Sequence, residues 1–129
     1  MAHFILEYSD NLAEQTLDFD VLFARLIEEA VGTGLFPLAG IRCRAHNCKH
    51  FRVADGTKTF GFVHLNVRIG SGRSEEEKAS AAKVLFEVLS QHLAVIYDRQ
   101  GLAISFELTE LPTHKFNQNN LRDYLTQSE

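Results

Sequence analysis

The sequence predicts an α+β domain assembled from two successive α/β-type β-α-β units: a four-stranded sheet, two helices on one sheet face and a short C-terminal helix. Three observations predict it. Apolar and polar residues alternate with period two in four stretches, the mark of half-buried strands. Two further stretches repeat apolar residues at i, i+3, i+4 and i+7, the mark of amphipathic helices. The order strand–helix–strand then occurs twice, over 1–58 (with a hairpin) and 59–111, before a tail at 112–129. At 129 residues, 45% of them apolar, the chain suits a single domain with an ordinary core.

The first strand lies in "MAHFILEYSD", where Phe4, Leu6 and Tyr8 alternate with His3, Ile5 and Glu7. It starts at residue 2 or 3, where most chains fray, and so holds the free α-amino group in place. Phe19, Leu22, Phe23, Leu26, Ile27 and Ala30 form the stripe of the first helix, with Asp18 or Asp20 to cap its start and Gly32 and Gly34 at its exit. "PLAGIRCRAH" (37–46) is the second strand, with Ile41, Cys43 and Ala45 on one face and Arg42, Arg44 and His46 on the other. Asp55-Gly56 is a turn signal, expected to close a short hairpin before the third strand. That strand, "FGFVHLNVRI" (60–69), sets Val63, Leu65, Val67 and Ile69 against His64, Asn66 and Arg68. Ser74 and Glu77 make the capping box of the second helix, and Glu75 and Glu76 suit its N-terminal dipole. Its expected stripe is Ala79, Ala82, Phe86, Leu89, Leu93 and Ile96. After Gly101, "LAISFELTEL" (102–111) is the fourth strand, with Leu102, Ile104, Phe106 and Leu108 inward. "FNQNNLRDYL" (116–125) reads as a short helix from Asn119 or Asn120.

Each β-α-β unit implies a parallel strand pair with a right-handed crossover. The sheet face away from the helices then carries Glu7, Arg42, Arg44, His64, Asn66, Arg68, Ser105 and Glu107 along with apolar members. Such a mixed face is expected to be partly covered by association, most simply in a closed symmetric oligomer.

Composition narrows the function classes. A net charge of −4 gives no electrostatic support for nucleic acid or a membrane surface as partner. No apolar run approaches the roughly 18 residues of a membrane span, and Glu7 and Asp10, with no basic segment, do not make a signal peptide. Cys43 and Cys48 are then expected as reduced thiols in the cytoplasm. Cys43, His46, Cys48 and His50 cluster in "RCRAHNCKH", but on a strand Cys43 points away from the other three, and no second cluster completes a four-ligand set, so no metal is expected. Ser9, Asp10 and His3 lack a nucleophile elbow, and "GSGRS" is too short for a phosphate or dinucleotide loop. His92 is read as a packed core histidine. In "IGSGRSEEEK" (69–78) a strand end, a glycine turn and a capped helix start place Arg73 where it suits a carboxylate ligand or stands solvated.

"HFILEYSDN", "GLFPLAGIR", "FVHLNVRIGSGRS" and "FNQNN" together resemble the 5-carboxymethyl-2-hydroxymuconate isomerase family of the tautomerase superfamily, over about residues 2 to 125. "GRS" followed by acidic residues also resembles the 4-oxalocrotonate tautomerase pattern. The resemblance implies the duplicated β-α-β tautomerase fold in a homotrimer, with three sheets around a central channel and the helices outside. It implies an N-terminal proline, exposed by removal of the initiator methionine, whose amine of lowered pKa moves a proton between substrate carbons without a cofactor. It implies arginines that hold the substrate carboxylates and stabilise a dienolate. By motif these are Arg42 and Arg73, in one subunit or in two, with His3 beside them as a substrate-binding residue.

The chain departs from that pattern at its catalytic position, where Ala2 stands in place of proline. The equivalent place in the second repeat, Val63, lies inside the chain and has no free amine. With Met1 removed, Ala2 offers a primary amine with an ordinary pKa of roughly 8, which an apolar site beside arginines would lower. With Met1 retained, the amine is displaced by one strand residue, about 3.3 Å. Two functions follow. One is an isomerase acting on an unsaturated hydroxy-dicarboxylic or tricarboxylic acid in aromatic-compound catabolism. The other is a trimeric protein of this fold that binds a carboxylate metabolite, or catalyses different chemistry, without isomerase activity.

Overall fold

The computed structural model describes residues 1–125. The chain runs β1 (Ala2–Ser9), α1 (Phe19–Gly32), β2 (Ile41–Cys48), β3 (Gly61–Ile69), α2 (Glu75–His92), the one-turn α3 (Ala94–Tyr97), β4 (Leu102–Glu110) and α4 (Leu121–Leu125). The sheet order is β2-β1-β3-β4. Each unit contributes one parallel pair, β1 with β2 and β3 with β4, and the two units join through the antiparallel pair β1–β3.

One sheet face meets α1 and α2 in a single core. Ala2, Phe4 and Leu6 from β1 and Val63, Leu65, Val67 and Ile69 from β3 are buried against Leu22, Leu26 and Ala30 of α1 and Ala81, Leu85 and Leu89 of α2. The strict alternation in β3 follows from its place beside β1 at the sheet centre, one face packed and one open. β4 lies at an edge, so Leu102, Ile104, Phe106 and Leu108 pack against the core but stay partly exposed. Ser74 accepts from the Glu77 amide at 3.1 Å while the Glu77 carboxylate accepts from the Ser74 amide at 2.9 Å, so the capping box is complete. Asp18 stands at the α1 N-cap but in a left-handed conformation, with no side-chain capping bond.

Three expectations are corrected. The second strand starts at Ile41 because Leu38–Gly40 forms a 3-10 turn, closed by the Gly40 amide on the Pro37 carbonyl at 3.0 Å. Asp55-Gly56 does turn, with the Gly56 amide on the Val53 carbonyl at 2.9 Å, but it closes no hairpin: β2 pairs with β1, so the segment from 49 to 60 crosses to β3 on the far side of β1. The buried stripe of α2 is Ala81, Leu85, Val88 and Leu89, whereas Ala79 is exposed and Ala82 half-buried. Phe86 is turned out to 38% exposure and meets Phe106 of the edge strand edge-on, ring centroids 6.5 Å apart. His92, as expected, is partly buried, and its Nε2 bonds the Leu17 carbonyl at 2.6 Å.

Candidate functional site

The topology brings three chain segments to one corner. Ala2 pairs with Ile41 on one side and with Ile69 on the other. The terminus therefore abuts the start of β2, which carries Arg42, and the end of β3, which leads through Gly70 into Arg73. Gly40 seats the terminus: a Cβ on Gly40 would lie 3.3 Å from both the nitrogen and the Cα of Met1. Ala2 itself is 4% exposed and turns its methyl into the core beside Phe4.

Cations surround the amine. Arg42 donates from Nη1 to the Gly40 carbonyl at 3.4 Å and from Nη2 to Asn117 Oδ1 at 3.2 Å. Arg73 donates from Nε and Nη2 to the Leu35 carbonyl at 3.2 and 2.6 Å and from Nη1 to the Gly70 carbonyl at 2.9 Å. Its guanidinium carbon lies 6.0 Å from the centre of the Phe36 ring. Arg73 thus ties the α1–β2 connection to the turn before α2 and still presents its positive charge to the terminus. Burial, then Arg73, Arg42 and Lys115, push the Met1 amine below its ordinary value of 8.0. Each effect disfavours the ammonium, so the neutral, basic amine persists to lower pH than in a free peptide.

His3 lies on the open sheet face. Arg44 Nη1 donates to its Nδ1 at 3.2 Å, so Nδ1 is the acceptor and Nε2 carries the proton of the neutral ring. Burial, then Arg44, Arg42, Arg68 and the terminus, hold the imidazole below its usual pKa.

Periodicity gave no hint of Lys115 or Asn117. The tail after β4 returns to the corner, with the Leu111 amide on the Ile69 carbonyl at 2.7 Å. Asn117 then meets Arg42, and Asn119 Nδ2 donates to the Ala39 carbonyl at 2.7 Å, so two tail amides clamp the Gly40 turn. Asn119 Oδ1 also accepts from the Leu121 amide at 2.8 Å at the start of α4. The available signal was "FNQNN" itself: four consecutive amide side chains, more than the local bond to the Leu121 amide uses.

The other sequence candidates lie elsewhere. Among the described residues no group of three or more His, Cys, Asp or Glu is disposed to hold a metal. Burial pushes the half-buried Cys43 thiol up to about 11, which leaves it a poor nucleophile at neutral pH. A surface groove of about 390 Å³ between the exit of α1 and the first turns of α2 is lined by Glu76 and Glu77 and by no cation, the wrong charge for a carboxylate.

The chain matches the 5-carboxymethyl-2-hydroxymuconate isomerase family over residues 2–125. It is 44% identical over 122 residues to the 5-carboxymethyl-2-hydroxymuconate Delta-isomerase of Escherichia coli, covering 94% of this chain and 96% of that one. A crystal structure of a 5-carboxymethyl-2-hydroxymuconate isomerase from Deinococcus radiodurans R1 superposes with a TM-score of 0.89 at 34% identity, covering 96% of this chain and 93% of that chain. A fused 4-OT solved as a symmetric trimer shares the fold at a TM-score of 0.60 and 15% identity, covering 90% of each chain.

Proposed function

The chain belongs to the 5-carboxymethyl-2-hydroxymuconate isomerase family, and from that premise we propose that it is an isomerase moving a proton within an unsaturated hydroxy-dicarboxylic or tricarboxylic acid such as 5-carboxymethyl-2-hydroxymuconate. The observation that carries this reading is the chain terminus set by the sheet register at the corner that carries Arg42 and Arg73, where the Met1 α-amine is held below its ordinary pKa. The neutral amine takes a proton from one position of the dienol and becomes an ammonium. The dienolate left behind is negative, and the guanidinium groups of Arg42 and Arg73 offset that charge where it develops. The ammonium returns the proton to a different carbon, so composition and oxidation state are unchanged. We place this reaction in aromatic-compound catabolism and in the cytoplasm. Among the described residues no helix is long and apolar enough to cross a membrane.

We further propose a homotrimer in which the open sheet faces of three copies surround a channel, as the mixed polar face and the trimeric relative of the same fold support. Light scattering at micromolar concentration is expected to give three times the 14.6 kDa chain mass; a monomer mass would remove the assembly.

Two observations favour the second reading, a carboxylate-binding protein of this fold without isomerase activity. Arg73 already satisfies backbone carbonyls with three of its nitrogens, and Ala2 replaces the proline. A ketonisation assay on a 2-hydroxymuconate-type dienol, with Met1 processing followed by intact mass, separates the two. Turnover above the solution rate is expected from the processed chain, and its absence would leave only binding.

A further inference from the structure

The register of β3 with β4 gathers a second group of reactive side chains on the open sheet face, away from the amine. His64 stands opposite Ser105, and Asn66 stands opposite Glu107. Ser105 Oγ lies 2.6 Å from His64 Nδ1, and His64 Nε2 lies 3.0 Å from Glu107 Oε1. One tautomer of the neutral ring satisfies both contacts: Nε2–H donates to the carboxylate, and Nδ1 accepts the serine hydroxyl proton. Glu7 stands opposite the same histidine on β1.

Nucleophile, base and orienting carboxylate are the three parts of an acyl-transfer centre, which is recognised by geometry and not by order along the chain. Here the two ring nitrogens exchange the roles they have in serine proteases. Ser105 is exposed, while the His64 side chain is 29% exposed and bonded through both nitrogens. Asn66 supplies a donor for developing negative charge. Its Oδ1 accepts from Thr109 Oγ1 at 3.2 Å, which orients the amide and leaves Nδ2 without a partner among the described residues. With strands 4.8 Å apart and two residues of rise between them, Asn66 and Ser105 are diagonal neighbours about 8 Å apart at their backbones. The Asn66 amide is therefore within reach of an oxyanion on a carbon bound to Ser105 Oγ.

We infer that Ser105, His64 and Glu107 form a nucleophilic centre that hydrolyses small carboxylic esters, an activity separate from proton transfer at the amine. Ser105 Oγ attacks the ester carbonyl while its proton passes to His64 Nδ1. Glu107, with Glu7 on the neighbouring strand, offsets the imidazolium charge, and Asn66 donates to the oxyanion. The tetrahedral centre then collapses. Its bond to the alcohol oxygen breaks, the alcohol takes the proton from Nδ1, and an acyl ester remains on Ser105. Water attacks that ester with the same histidine as base, which releases the carboxylic acid and restores the serine hydroxyl. The sum is ester plus water to acid plus alcohol, with no change of oxidation state. In the proposed trimer this face surrounds the channel, so the ester must be small enough to enter it.

Fluorophosphonate labelling with peptide mass mapping, together with hydrolysis of p-nitrophenyl acetate, tests the centre in the whole protein. The expected result is one label per chain, on Ser105. General-base catalysis contributes roughly 10²–10⁴-fold, so kcat/KM for the ester is expected to fall about tenfold or more in Ser105→Ala and in His64→Gln. Glu107 acts through His64 as a positioning residue. Glu107→Gln is expected to lower kcat about tenfold with KM within about twofold, a split that a loss of structure would not give. Circular dichroism checks that each variant folds, and labelling of the parent needs no variant at all. No label, a label on another residue, or ester hydrolysis unchanged in Ser105→Ala overturns the inference. So does an acetyl group found on the terminal amine in place of Ser105, because the α-amine would then be what attacks the ester. Neither readout uses a dienol, so failure here leaves the isomerase reading standing.

Discussion

Arg42→Gln lowers kcat/KM for a 2-hydroxymuconate-type dienol by roughly ten- to a hundredfold. A charge-assisted bond to a carboxylate or dienolate contributes about 1.5–3 kcal/mol, and each 1.4 kcal/mol is tenfold in rate. Glutamine keeps a donor of similar shape and removes the charge. The substitution also loses the bond to Asn117 Oδ1, so Asn117→Ala is the control. It frees the tail from the arginine while leaving the cation beside the amine, and its effect is expected to be several-fold smaller. Steady-state rates for the three proteins, with folding checked by thermal melts, decide the matter. An Arg42→Gln protein within twofold of the parent would take the arginine out of the chemistry.

Ala2→Pro, in a preparation shown by mass to lack Met1, raises kcat/KM on the same dienol by about tenfold, near 1.4 kcal/mol of barrier. Without Met1 the Ala2 nitrogen becomes the terminal amine, at a position where β1 pairs with both Ile41 and Ile69. The proline ring fixes φ and the direction of the nitrogen lone pair, and orientation is a large share of such a proton transfer. The pH profile has a definite sign. A base must be neutral to act, and burial with Arg73 and Arg42 holds the terminal amine of Met1 below 8.0. Any turnover carried by this amine in the chain that keeps Met1 therefore rises with pH and levels off below pH 8. A processed, trimeric proline variant no faster than the parent would show that the site has diverged in more than its base, and the carboxylate-binding reading would then replace the isomerase one.

Sequence reasoning went furthest where a residue's environment is set by its own neighbours in the chain. Ser74 and Glu77 lie one turn apart, so their reciprocal bonds follow from spacing. In β3, period-two alternation named the buried set Val63, Leu65, Val67 and Ile69, because a strand has only two faces. A helix has no such binary choice. Ala79, Ala82 and Phe86 make as good an apolar stripe as Ala81, Leu85 and Val88, and the position of the sheet beneath α2 selected the second. Phe86 kept an aromatic partner, Phe106, only because β4 ends up on the edge beside it.

The same division runs through the candidate site. From sequence alone came the two β-α-β units, the terminal strand and, through family resemblance, Arg42, Arg73 and the exceptional Ala2, because each is a property of local pattern or motif. Tertiary structure alone decided that β1 and β3 pair antiparallel at the sheet centre, which brings the terminus, Gly40 and the Gly70 turn to one corner. It alone brought Asn117 to Arg42 and Asn119 to Ala39, across 75 and 80 residues of chain, and lined up Arg42, His3 and Arg68 in one row. The physical reason is that periodicity records which face of an element is buried and nothing of which element lies beside it. Neighbours are chosen by closing one core around both units, and the site is made of neighbours.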